Sequence, residues 1–91
     1  MNARDRIKEL RTAEQLTIDD LSEKSGIKGS RVRNLLSGQT PVRIDDIQAI
    51  GEAFPEYKYW LAFGEEMPEA GQISPETKKA LAELKTRPEA G

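Results

Sequence analysis

Apolar residues recur along the chain at three- and four-residue intervals, and no stretch alternates for more than a few positions. The pattern predicts helices throughout and no strand. The first helix spans roughly residues 2–12, with Ala3, Ile7 and Leu10 on one face. The second follows Thr17, whose hydroxyl can cap the free amides two or three residues on, with Asp20 at capping-box spacing. Leu21 is its inward residue and Gly26 its left-handed stop. A third helix runs from Lys28 or Gly29 to Ser37 and buries the stripe Val32, Leu35, Leu36. The turn Ser37-Gly38-Gln39-Thr40-Pro41 leads to a fourth helix, which carries Ile44, Ile47, Ile50 and Phe54 and stops at Pro55. A fifth, short and aromatic-rich, covers residues 56–63 and closes at Gly64. Residues 65–72 read as a linker. Ser74 followed by Pro75 is a strong start signal for a last helix over roughly 75–86, with Ile73, Thr77, Ala80, Leu81 and Leu84 at helical spacing. Pro88 and Gly91 fall in a frayed end.

Ninety-one residues allow one domain with a modest core. The absence of Cys and His excludes zinc sites of the usual thiolate or imidazole type, and with them Cys-His and Ser-His nucleophilic chemistry. Carboxylates are scattered over exposed helical positions, so the expectation is a non-enzyme with no cofactor, no metal and no small-molecule ligand. A cysteine-free chain of this size fits a reducing cytoplasm. The N-terminus lacks the apolar stretch of a signal peptide and no run approaches membrane-spanning length, so no membrane partner is expected.

A net charge of −2 and a pI near 5.2 ordinarily count against nucleic acid. Patterning changes that reading. Between Lys24 and Ile44 there is no Asp or Glu, while Lys24, Lys28, Arg31, Arg33 and Arg43 make the window +5. At 100° per residue, Val32, Leu35 and Leu36 point one way, and Ser30, Arg33, Asn34 and Ser37 point the other, with Arg31 at the flank. Two cations, an amide and two hydroxyls form the donor set that base edges and phosphates require. A solvated surface helix has the same composition, so charge alone leaves the matter open.

Two short helices joined by a glycine turn, the second with a basic face, have the layout of a helix-turn-helix. RIKELR at 6–11, LTIDDLSEKSGI at 16–27, RVRNLLSGQTP at 31–41 and YWLAFG at 59–64 resemble the phage Cro/repressor-type (XRE-like) regulators. That resemblance implies an all-α, five-helix lambda-repressor-like bundle over residues 1–64, with helices 2 and 3 as the helix-turn-helix. The linker 65–72 and a C-terminal helix and tail over 73–91 follow it. Ser22 takes the family's small position where the third helix crosses, and Gly51 another in the fourth. The chain departs from the family pattern at Ile18, commonly Gln; at Gly29, often a base-contacting side chain; at Lys28, usually a Ser cap; and at Ser25, frequently apolar. Ser30 therefore either caps a helix starting at Arg31 or lies within the helix and faces the groove.

The resemblance implies a sequence-specific double-stranded DNA-binding transcriptional regulator, acting as a repressor and homodimer on a palindromic operator, in the cytoplasm with the nucleoid. Base contacts are assigned to Ser30, Arg33 and Asn34, and phosphate contacts to Thr17, Lys28, Arg31, Thr40 and Arg43. Tyr57, Trp60, Ile73, Leu81 and Leu84 are assigned to a dimer or partner interface, with core packing the alternative for the two aromatics. The rival readings are an antitoxin-type autorepressor that holds a toxin through its C-terminal segment, and an interaction adaptor of the same fold that does not bind DNA.

Overall fold

The Asn2 side chain accepts the Asp5 amide at 2.9 Å and starts helix α1, Ala3–Ala13, in a computed structural model that describes residues 1–86. Ile7 and Leu10 on its inner face are almost fully buried. Gln15 then adopts φ +55°, a left-handed turn that no glycine in the sequence announces. The capping box opens α2, Ile18–Ser25: the Asp20 amide donates to Thr17 Oγ1 at 3.0 Å, and the Thr17 amide donates to Asp20 Oδ2 at 2.9 Å. Gly26, at φ +78°, ends it, and the chain turns into α3, Gly29–Ser37. The hydroxyl of Ser25 donates to Leu21 O at 2.6 Å and accepts from the Ile27 amide at 3.2 Å. A residue that loses apolar packing before the turn thus braces the turn instead.

Helix α4, Ile44–Ala53, is followed by one 3-10 turn at Pro55–Tyr57, then α5, Lys58–Phe63, and α6, Pro75–Thr86. The fifth helix is therefore shorter than its aromatic segment suggests, because Pro55 starts a tighter turn. The core comprises Ile7, Leu10, Leu21, Val32, Leu35, Ile50, Phe54, Tyr57, Trp60 and Leu61. Ile18 and Leu36 pack against it from partly buried positions, so the apolar residue at the head of α2 contributes packing. Ile44, expected on the inward stripe of α4, is 78% exposed. It is the first residue of the helix and projects past the edge of the core that Ile47 and Ile50 reach.

Residues 65–72 are more ordered than a linker. A 3-10 turn at Pro68–Ala70 and an antiparallel bridge between Met67 and Gln72 fold the segment back on itself. The Gln72 side chain then accepts from the Tyr59 amide and donates to Pro55 O, both at 2.9 Å, while the Ile73 amide donates to Glu56 O. Ser74 caps α6 as expected, accepting the Thr77 amide on its hydroxyl at 3.2 Å. The base of α6 rests on α1 and the 3-10 turn through Lys78, which reaches Glu56 at 2.8 Å and Glu14 at 3.2 Å and lies over the Tyr57 ring. Its distal part projects outward. The molecule measures 52 × 24 × 21 Å, with a radius of gyration of 14.2 Å against about 12 Å for a compact chain of this length. Pro88 and Gly91, expected to fray, lie outside the described residues.

Candidate nucleic-acid interface

The outer face of α3 is positioned by the packing beneath it. Ser22 on α2 donates its hydroxyl to Ile27 O at 2.5 Å, and Val32 and Leu35 seat α3 in the core. Lys28 is the residue before α3 and makes no side-chain cap. Gly29 opens the helix, so Ser30 is helical and exposed, which resolves the two alternatives left by the sequence. A Cβ at Gly29 would meet Ser22 Oγ at 3.9 Å, ordinary contact. The glycine there is not required by space.

Arg33 is fully outward, and Asn34 is half-buried beside it. The Asn34 carbonyl gathers the amides of Gly38, Gln39 and Thr40, and Gly38 at φ +86° makes that wrap accessible to the backbone. Arg4, reaching across from α1, donates Nε to Leu35 O at 2.9 Å and Nη2 to Thr40 O at 2.8 Å. The end of α3 and the loop carrying Thr40 are thereby fixed to α1. Lys28, Thr17 and Arg43 are exposed and Thr40 half-buried, although Thr17 Oγ1 already accepts the Asp20 amide. Ser30, Arg33, Lys28 and Arg43 therefore share the α3 face and its flanking turns, with the Arg43 backbone amide donating to Asp46 Oδ2 at 2.9 Å.

Arg31 is the exception in this group. Its Nε and Nη2 engage Asp46 Oδ1 and Oδ2 at 2.9 and 2.7 Å. The guanidinium beside Asp46 holds that carboxyl below the usual carboxylate range, against the opposing effect of burial, with the Arg43 amide assisting. The expected phosphate contact of Arg31 thus meets a committed intramolecular partner. Sequence reasoning missed both Arg4 and Asp46. Asp46 stands two residues beyond the acid-free window and fifteen beyond Arg31, a separation that no helical periodicity connects.

The assigned interface residues divide. Tyr57 is fully buried and Trp60 only 5% exposed, so both belong to the core and offer a partner no surface. The Tyr57 hydroxyl donates to Glu14 Oε2 at 2.6 Å. Burial, then the Glu14 carboxylate, pushes that phenol up. Ile73 is half-buried against the body. Leu81 and Leu84, by contrast, are 46% and 62% exposed on the projecting part of α6. Among the described residues no group of His, Cys, Asp or Glu is placed to hold a metal, and no helix is long and apolar enough to cross a membrane.

A helix-turn-helix family model matches residues 7–61, more than half of the chain. The chain belongs to the helix-turn-helix family. The sequence matches no curated protein. Among solved structures, this helix-turn-helix protein is similar to Pf6r from the filamentous phage Pf6 of Pseudomonas aeruginosa PA01. The two share 30% identity and a TM-score of 0.72, over 93% of this chain and 99% of that one. The match and the likeness together support a DNA-binding regulator of the phage Cro/repressor type with a lambda-repressor-like bundle, to which α6 is an addition.

Proposed function

We propose that the protein represses transcription as a homodimer on a palindromic operator, within the cytoplasm, with α3 of each copy entering the major groove. The observation that carries this reading is the acid-free face of α3, where Ser30 and Arg33 are exposed and Asn34 stands half-buried beside them. Arg33 offers a bidentate fork to guanine and Asn34 one to adenine. Lys28, Thr40, Arg43 and the amide-bearing start of α2 at Thr17 flank that face and serve the phosphates. The regulator acts by occupancy, and repression follows from excluding polymerase at the site.

Exposed Leu81 and Leu84 favour pairing of two copies through α6, since apolar side chains on a projecting helix gain most by covering one another. A toxin-type partner on the same leucines is the second reading, and oligomeric state separates the two. Selection of bound sequences from a random duplex pool tests the whole proposal. It should return a palindrome whose half-sites lie about one helical turn, ~34–36 Å, apart. An unstructured or empty selection would sink it. Leu81→Glu with Leu84→Glu should convert dimer to monomer in sedimentation; a wild-type protein already monomeric at operator-binding concentrations would remove the homodimer.

A further inference from the structure

Arg31 lies on the recognition helix inside a stretch of chain that carries five cations and no carboxylate. Its fork is nevertheless closed on Asp46 of α4, both carboxylate oxygens engaged, with the Asp46 side chain 5% exposed and that of Arg31 29%. Asp46 Oδ2 also accepts the amide of Arg43 at 2.9 Å. A single carboxylate therefore holds a cation of α3 and the turn that presents a second cation to solvent.

Two physical arguments give this arrangement a consequence for binding. Affinity for arbitrary duplex is set by how many phosphates are neutralised, whereas sequence is chosen at base edges. And Arg31 does not leave Asp46 cheaply, because its departure would strand a nearly buried carboxylate whose other contact is one backbone amide. We propose that Asp46 is a positioning residue: by engaging Arg31 it withholds one cation from the DNA backbone, lowering affinity for any duplex while Arg33 and Asn34 select the sequence. This rests on the DNA-binding reading above. The effective charge of the recognition face is one less than the sequence suggests, and the salt dependence of binding is correspondingly shallower.

The test is a salt titration of full-length protein on a random-sequence duplex between 50 and 200 mM KCl, with the selected operator in parallel. Asp46→Asn is nearly isosteric and retains an acceptor for the Arg43 amide. It should steepen the log–log salt slope by about 0.9 on both duplexes, widening the affinity ratio between the two salts about 3–4-fold, and leave the preference for the operator unchanged. Arg31→Gln alone should leave the slope unchanged, and the double variant should return to the wild-type slope. Asp45→Asn changes the charge equally without touching the fork and should also leave the slope unchanged. Loss of about 0.9 from the slope in Arg31→Gln would overturn the proposal, because Asp46 would then be aiming Arg31 at a phosphate. An equal gain in Asp45→Asn and Asp46→Asn would also overturn it in favour of net charge. Wild-type protein that binds no duplex at any salt would instead refute the DNA-binding reading itself.

Discussion

Helices α1 and α3 both carry a pair of arginines two residues apart, Arg4 and Arg6 on one and Arg31 and Arg33 on the other, and they use them in opposite ways. Arg4 closes the end of α3, and Arg6 closes the end of α5 by donating Nε to Leu61 O at 3.0 Å, while its Nη1 ties down the N-terminus through Met1 O at 2.8 Å. Gly64 leaves room for this, since a Cβ there would stand 3.0 Å from Arg6 Nη1. On α3 only Arg31 is committed, to Asp46, and Arg33 faces solvent. The same residue type serves as a backbone cap, a partly buried ion-pair partner and an open donor. The lesson is that a count of cations measures neither stability nor DNA affinity until each guanidinium has been assigned an acceptor.

The contrast can be broken most forcefully at its open end. Arg33→Ala with Asn34→Ala should cost about 2–6 kcal/mol of discrimination between operator and scrambled duplex, measured by competition binding. Its unfolding free energy should stay within about 0.5 kcal/mol of wild type. A large stability loss would place Arg33 with the α1 arginines. The complementary variant, Arg6→Ala, should lower stability in urea by about 2–3 kcal/mol, because charge-assisted bonds to two carbonyls are lost at a buried site.

A smaller effect concerns Lys78 at the base of α6, whose ammonium is pushed up by the Glu56 hydrogen bond and, next, opposed by burial. A raised lysine stabilises below its ordinary pKa of about 10.5 and loses that contribution as pH climbs through the raised value. Lys78→Met should cost about 0.5–1 kcal/mol, given its partial exposure, and remove the alkaline loss of amide protection in the first turn of α6. A protection profile equally pH-sensitive in the variant would assign the docking to other contacts. Smallest of all, Gly29→Ala should raise the urea midpoint by the equivalent of about 0.4–1 kcal/mol, since the site is helical and a methyl meets only ordinary contact. A fall would mean that the backbone at Gly29 needs a freedom alanine lacks.

Much of the bundle was legible because its boundaries are written in local chemistry. Thr17 with Asp20, Gly26, Pro55, and Ser74 with Pro75 each act within four residues, and each does so here. The outward placement of Ser30 and Arg33 followed from helical periodicity anchored on Val32 and Leu35. What escaped depends on distance along the chain. Gln72 finds partners 13 and 17 residues away, Arg31 finds one 15 away, and Tyr57 meets Glu14 across 43. The sequence left Tyr57 and Trp60 open between core and interface for the same reason, since aromatic character marks them as apolar but does not say which apolar surface they cover; both lie in the core. Gln15 is a different miss, a left-handed turn held by its setting rather than by residue type.

The clasp formed by Gln72 turns an eight-residue tether into a strut. Eight flexible residues would let α6 wander over about 15 Å, and two copies joined through such a tether would accept half-sites over a range of separations. Held against Pro55 and Tyr59, α6 instead leaves the body along one direction. In a dimer built on it, the two recognition helices share a torsional register. One base pair inserted between half-sites turns the far one by about 34° around the duplex axis, a rotation the strut has no hinge to absorb.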